Sequence, residues 1–285
     1  MEKTTQNSYH THISSKHNAL ELKLDEVWRY RDLILLFTKR NFVVRYKQTI
    51  LGPAWILLNP LFSSIIYAIV FGGIAKIGTE GIPTILFYLC SNAIWLFFAT
   101  CVTTNARTFT ENANVFGKVY FPRLTMPISN MLSAGIHFCV QMLMVLGFLG
   151  FYLVQGAVHP NWAAWLLIPV VLLHLGMLGL GCGIIVSSLT TKYRDLAILV
   201  DFAMQLWMYA TPVVYPLSTL EPGWIRTILL INPVTAPVEF FRYAILGQGS
   251  ILPGVLVLSW AITIGVMLIG IVIFNKVERT FMDTV

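Results

Sequence analysis

The chain alternates long apolar runs with short polar connections. Ala54–Ala75, Ile82–Val102, Met126–Val154 and Ala163–Leu189 contain no Asp, Glu, Lys or Arg; Leu196–Leu217 contains one, Asp201; Leu252–Phe274 again contains none. Each run is long enough to cross a bilayer, which takes about 20 apolar residues per helix. Lipid offers the backbone no hydrogen-bond partner, so such runs must be helical. The pattern predicts an all-α integral membrane protein with six transmembrane helices.

Two segments depart from a plain bundle. Ahead of the first run, Arg29–Leu51 places Leu33, Ile34, Phe37 and Val44 in one sector of a helical wheel, with Asp32, Lys39, Arg40 and Lys47 in another. Leu35, Phe42 and Val43 fall off the apolar sector, so the amphipathicity is imperfect. This is a helix that lies along a membrane face, and Gly52-Pro53 then permits a sharp turn into the first span. Between the fifth and sixth runs, Ser218–Ile251 holds two apolar stretches, Ile225–Ile231 and Ala236–Leu246, too short to span. Asn232-Pro233 and Pro237 break the chain between them. They predict a pair of short re-entrant helices before the last span, with Asn232, Pro233, Glu239 and Arg242 as a candidate gate. Glu239 and Arg242 stand three apart, the spacing of a structural side-chain pair.

Composition supports lipid as part of the solvent: 56% of residues are hydrophobic and 11% charged, with a mean hydropathy of +0.73. The net charge of +6 concentrates before the first span, as expected for a segment facing anionic headgroups rather than nucleic acid. Residues 1–27 read as a polar tail and 28–285 as one membrane domain. The tail lacks an apolar stretch of the kind a cleavable signal peptide needs, and its His10, His12 and His17 are weak metal candidates beside a plain polar tail. Cys90, Cys101, Cys139 and Cys182 sit apart within apolar runs, with neither disulfide nor metal spacing. Sixteen Lys and Arg fall on the side that carries both termini and three (Lys76, Arg226, Arg242) on the other, which places both termini in the cytoplasm.

The run RDLILLFTKRNFVVRYKQTILGPAWILLNP (Arg31–Pro60) closely resembles the opening of ABC-2 type export permeases, which carry O-antigen, capsule and teichoic-acid polymers. INPVTAPVEFFRYAILG (Ile231–Gly247) resembles that family's re-entrant segment, and the likeness extends over about Trp28–Arg279. It implies a homodimer in the bacterial inner membrane, paired with two copies of a separate ATPase and moving a lipid-linked polysaccharide. It further implies that the interface helix (Arg31, Asp32, Arg40, Arg45) and the first cytoplasmic loop rest on that ATPase. The loop, Thr104–Thr125, offers Arg107, Glu111, Asn112, Val115 and Phe116, a polar and apolar mix suited to docking. Val115-Phe116 is the expected anchor. The chain has no G-x-x-x-x-G-K-[ST] phosphate loop, so ATP and Mg belong to the partner and the chain is a permease rather than an enzyme.

Aromatic residues make up 13% of the chain. Trp55, Phe62, Tyr67, Phe87, Trp95, Phe98, Trp207 and Tyr209 are candidates to line a sugar path, since a pyranose face stacks on a ring; each alternatively serves as packing. Asp201, near a span end, is expected to be ion-paired or turned to the interface. Gly179 and Gly183 have the spacing of close helix packing. Export of another amphiphile, a drug or a lipid, remains the alternative within the family. An ion-coupled carrier would need several acids at membrane depth, and a membrane enzyme would need a nucleophile–base or metal constellation that the sequence does not display.

The charge asymmetry generates a test of topology. Cysteines introduced singly at Gly78, His159 and Gly249 are expected to react with an impermeant thiol reagent added outside cells or spheroplasts. Labelling at Asn112 with those three silent would reverse the orientation.

Overall fold

The computed structural model describes residues 24–119, 121–193 and 195–284, with side chains from Asp25 through Val277. Most of the polar tail, His10, His12 and His17 included, lies outside the described residues, as do Tyr120 and Arg194. In chain order the helices are α1 (Leu24–Arg29), α2 (Arg31–Tyr46), α3 (Gly52–Ile74), α4 (Thr84–Ala106), α5 (Thr108–Phe116) and α6 (Thr125–Val154). They continue as α7 (Trp162–Trp165), α8 (Ile168–Thr190), α9 (Leu196–Tyr209), α10 (Trp224–Ile231), α11 (Thr235–Leu246) and α12 (Pro253–Thr284).

Among the described residues five helices, α3, α4, α6, α8 and the Pro253–Val277 part of α12, are long and apolar enough to cross a membrane. The expected fifth span is shorter than the apolar run suggested. α9 has 14 residues, a rise of about 21 Å at 1.5 Å per residue, against about 30 Å of hydrocarbon. It stops because Thr211 precedes Pro212, which disfavours helical geometry at Thr211 and removes a backbone donor; the chain then turns irregularly to Leu217. Where the re-entrant pair was expected, α10 and α11 form two short apolar helices bent by 85° at Asn232–Val234, the geometry of a broken span or of a re-entrant loop.

α4 is the centre of the bundle. Its most apolar window is 78% buried, against 17% for α3 and 22% for α12, so the other spans surround it and leave their outer faces to lipid. α8 reaches it through its glycines: a Cβ on Gly179 would lie 2.6 Å from Cys101 Cβ, and one on Gly183 would lie 2.4 Å from Asn105 Cβ. On another face of α8, Gly181 meets the Met267 backbone of α12, whose Gly270 lies close to the Gly181 carbonyl. Small residues thus let three membrane helices approach backbone to backbone.

The imperfect amphipathicity of α2 has a structural cause. Ile34, Phe37 and Thr38 are buried against the bundle, while Leu35, Leu36, Val43 and Val44 are exposed. The helix buries one apolar face against the protein and leaves a second apolar face exposed, so a single apolar sector cannot describe it. It ends at Tyr46, and Gly52 (φ +53°) with Pro53 turns the chain into α3 as expected.

The two ends of the bundle are distinct. At the α2 end, Phe37, Phe109, Phe116, Phe121 and Phe274 form a second apolar cluster with Leu180, Ile184 and Ile271. At the opposite, hairpin end, Glu80, His159 and Gln248 line one small cavity, so the connections expected on a single side converge there. Gly249 is a poor labelling position: at φ +134° its Cβ would lie 3.0 Å from the Glu239 carbonyl oxygen. The exposed neighbour Gln248 takes its place in the topology test.

Gly183→Ala is expected to destabilise the chain by about 1–3 kcal/mol, because overpacking forces backbone shifts. Gly147, with nothing near its Cβ position, is the control, and Gly147→Ala should leave the unfolding midpoint in detergent unchanged or slightly raised. Equal midpoints for both variants would show that the α4–α8 seam is loose.

Candidate functional site

The α2 end brings together most of the residues expected to couple the chain to a partner. α5 is a helix, since Thr108–Phe116 turns its Phe109 and Phe116 side chains inward. Arg40 on α2 donates to Asn112 Oδ1 (3.3 Å) and Asn41 Oδ1 (3.1 Å). Asn41 donates to Asn130 Oδ1 on α6 at 2.9 Å, and Asn130 Nδ2 donates to Asn105 Oδ1 on α4 at 3.2 Å. The circuit closes at Thr108, whose carbonyl accepts from Asn112 at 3.0 Å and whose hydroxyl accepts from Asn130 at 3.4 Å. Four helices are therefore joined by one polar network. Its members Asn41, Asn105 and Asn130 did not stand out in the sequence, although an Asn on the opening turns of an apolar span is a detectable signal because buried amides require partners.

The remaining coupling candidates divide. Arg31, Asp32, Arg45 and Glu111 are exposed and Val115 is half-buried, so all five remain available to a partner. Arg107 pairs with Asp201 of α9. That is the ion pair expected for Asp201, with its partner on the first loop. Phe116 is a correction. It is 3% exposed and packs 5.9 Å from Phe109 and 5.7 Å from Phe121, with Arg123 over its ring. A ring enclosed by its own chain cannot anchor in a partner groove. Burial of an aromatic gains most where apolar atoms already surround it, and the α5 ring finds Phe109 and Phe121 first.

At the hairpin end, all four gate candidates act as fasteners. Glu239 and Arg242 form a buried pair, with side chains 2% and 1% exposed. Arg242 also donates to the Pro212 carbonyl at 2.9 Å and stacks over Phe87 of α4 at 4.8 Å. Glu239 accepts from the Leu217 and Ser250 backbone amides, each at 3.3 Å. Asn232 accepts from Trp207 Nε1 (3.1 Å) and donates to the Ala210 carbonyl (2.7 Å), tying the bend to the end of α9. The Pro233 carbonyl accepts from Ser259 of α12.

The eight aromatic path candidates do not share one surface. Phe87, Trp95 and Phe98 are buried in the core around α4, so their rings are packing in this protomer. Trp207 meets Phe98 edge-on at 5.3 Å and is half-buried. Trp55, Phe62 and Tyr209 are exposed, and Tyr67 is half-buried, with its hydroxyl 3.5 Å from Met208 sulfur. These last four lie on α3 and α9, which meet at the Tyr67–Met208 contact. Among the described residues no group of three or more His, Cys, Asp or Glu is placed to hold a metal ion.

Phe116→Ala is now expected to cost about 3–5 kcal/mol of stability through the cavity it leaves. Thermal unfolding of the purified chain, with no partner present, measures it. An unchanged midpoint would return Phe116 to the list of docking residues.

Comparison with known proteins bears on the whole of this geometry. An O-antigen export system permease protein RfbA of Klebsiella pneumoniae is 28% identical over 257 residues, which cover 88% of this chain and 94% of that protein. A protein of the same name from Myxococcus xanthus is 28% identical over 221 residues, covering 76% of this chain and 81% of its own. The ABC-2 type transporter family profile matches residues 32–246, a stretch that runs from α2 through the end of α11 and so includes both the polar network and the re-entrant hairpin. The chain is a multi-pass membrane permease and belongs to the ABC-2 type transporter family.

Proposed function

We propose that this permease passes a lipid-linked, O-antigen-like polysaccharide out of the cytoplasm across the bacterial inner membrane. In this reading two copies assemble with two copies of a separate ATPase that carries the nucleotide and Mg, and the α2 end faces the cytoplasm. The observation that carries it is the family match together with relatives named as O-antigen export permeases that align over most of both chains. The acids at membrane depth also favour it over an ion-coupled carrier: Asp201 and Glu239 are each taken up by an arginine.

The exposed face of α5, with Glu111 and Asn114, and Lys118 in the turn after it, is the surface an ATPase would push. Two connections convey that push. Phe109, stacked 4.8 Å from Phe274 of α12, carries it into the bundle. Arg107, which precedes α5, carries it to α9 through Asp201. α9 buries only Met204 and Met208 among its residues, so it is lightly held and able to respond. Trp55, Phe62, Tyr67 and Tyr209 on the adjoining faces of α3 and α9 would line a path that a second copy closes.

Two outcomes test this. The purified chain alone should hydrolyse no ATP and should gain hydrolysis only with the co-expressed ATPase. With that complex, Arg107→Asp and Asp201→Arg should each lower polymer at the cell surface by roughly fivefold or more while the chain still inserts. The double variant should recover most of the loss, because a half-exposed pair contributes little to stability itself. A double variant no better than either single would remove the pair from coupling, and absence of any surface polymer with the unaltered complex would end the polysaccharide reading.

A further inference from the structure

Between α2, the last turns of α4, α5 and the first turns of α6 lies a cleft of about 480 Å³. α2 presents two i,i+4 pairs to it, Arg40 with Val44 and Asn41 with Arg45. Its floor includes Thr100 and Ser133. Thr100 lies six residues before the end of α4, about 9 Å along the helix, so the floor sits deeper in the bundle than the point where α5 leaves it. A lining that runs this far along a span is long enough to take a lipid headgroup together with its first methylenes.

The charges in the cleft are unbalanced. Arg40 is half-buried, held over the Phe37 ring at 4.8 Å and hydrogen-bonded to neutral amide oxygens. Burial draws its pKa below the ordinary guanidinium value, the sign of a cation without full compensation. Arg45, beside the Tyr46 hydroxyl, adds a second guanidinium at the rim. Glu111 on α5 also lines the cleft, and no ion pair joins it to either arginine among the described residues. Two cations against one carboxylate leave room for an anion, and guanidinium geometry suits phosphate oxygens. Next to the cleft, Leu35, Leu36 and Val43 present exposed apolar surface on the same helix, beside Val44 in the lining, and acyl chains would cover it.

We propose that this cleft binds the phosphate headgroup of an anionic lipid in the leaflet on which α2 lies. The depth of the floor and the apolar face beside it favour a lipid over an acidic side chain from a soluble partner. The lipid seats on Arg40 and Arg45 and wedges between α2 and α5, so it props the network through which α5 is joined to the spans. This role does not depend on what the permease exports.

The test uses the full chain in mild detergent, with phosphatidylglycerol or phosphatidylcholine titrated in and bound lipid counted by native mass spectrometry. Phosphatidylglycerol should be retained in preference to phosphatidylcholine. Arg40→Gln and Arg45→Gln should each weaken that retention about tenfold, the worth of one charge-assisted hydrogen bond, and Glu111→Gln should not weaken it. Arg40 also supports the network, so Arg45→Gln, whose side chain does not contact Asn112, decides the matter if Arg40→Gln unfolds early. Equal retention of the two lipids, or unchanged phosphatidylglycerol retention in Arg45→Gln, overturns the proposal. Displacement of the lipid by millimolar inorganic phosphate would assign the cleft to a free anion instead. Loss of a co-expressed ATPase from Arg45→Gln with lipid retention unchanged would make the cleft a protein-docking surface.

Discussion

The hairpin end depends on the buried contact between Glu239 and Arg242. Where α9 stops at Tyr209 and the chain runs irregularly toward α10 and α11, buried backbone groups are released that must find partners within the protein. The guanidinium takes the Pro212 carbonyl, and the carboxylate takes the Leu217 and Ser250 amides. Each charge satisfies the other and the irregular backbone around it. A buried pair of this kind is poor evidence of stability in itself, since desolvation offsets its attraction. Its contribution is specificity: it lets an irregular loop pack against the bundle, joined through Phe87 to the central span.

That central span sets the rest. α4 is enclosed by its neighbours, and the glycine seam of α8 determines how closely they approach it. The outer helices remain largely exposed to lipid. α9 is held chiefly at its ends, by Arg107–Asp201 at the α2 end and by Asn232 at the other, with the Tyr67 and Phe98 contacts between. A rigid middle with a lightly held member at its side is an arrangement in which a push can be converted into a relative movement of helices.

The α2 end shows how one loop can be both anchored and available. The inward face of α5 is fixed by Phe109 and Phe116, while its outward face keeps Glu111 and Asn114 in solvent. Anchoring through apolar rings makes the helix stiff, and a stiff element transmits displacement where a solvated connector would absorb it. The Arg40–Asn112 and Asn41–Asn130 bonds extend that stiffness to α2 and α6.

The sequence by itself determined the lipid environment, the helical class, the interface helix, the re-entrant break at Asn232-Pro233 and the pairing of Glu239 with Arg242. These follow from run length, from where charges are absent, and from local spacing, all of which act over a few residues. It also showed Gly179 and Gly183 as a close-packing motif, though not the helix they meet. Only the tertiary structure decided that α4 is central, that Phe87, Trp95 and Phe98 are packing, that Phe116 turns inward, and that Asp201 finds Arg107. The physical reason is that lipid tails and protein interior are nearly alike to an apolar side chain. Hydropathy therefore reports that a residue leaves water without reporting what it meets. The fifth span shows the same limit: the apolar run continues to Leu217, but Pro212 ends the helix, and the Arg242 guanidinium that donates to its carbonyl lies 30 residues further along the chain.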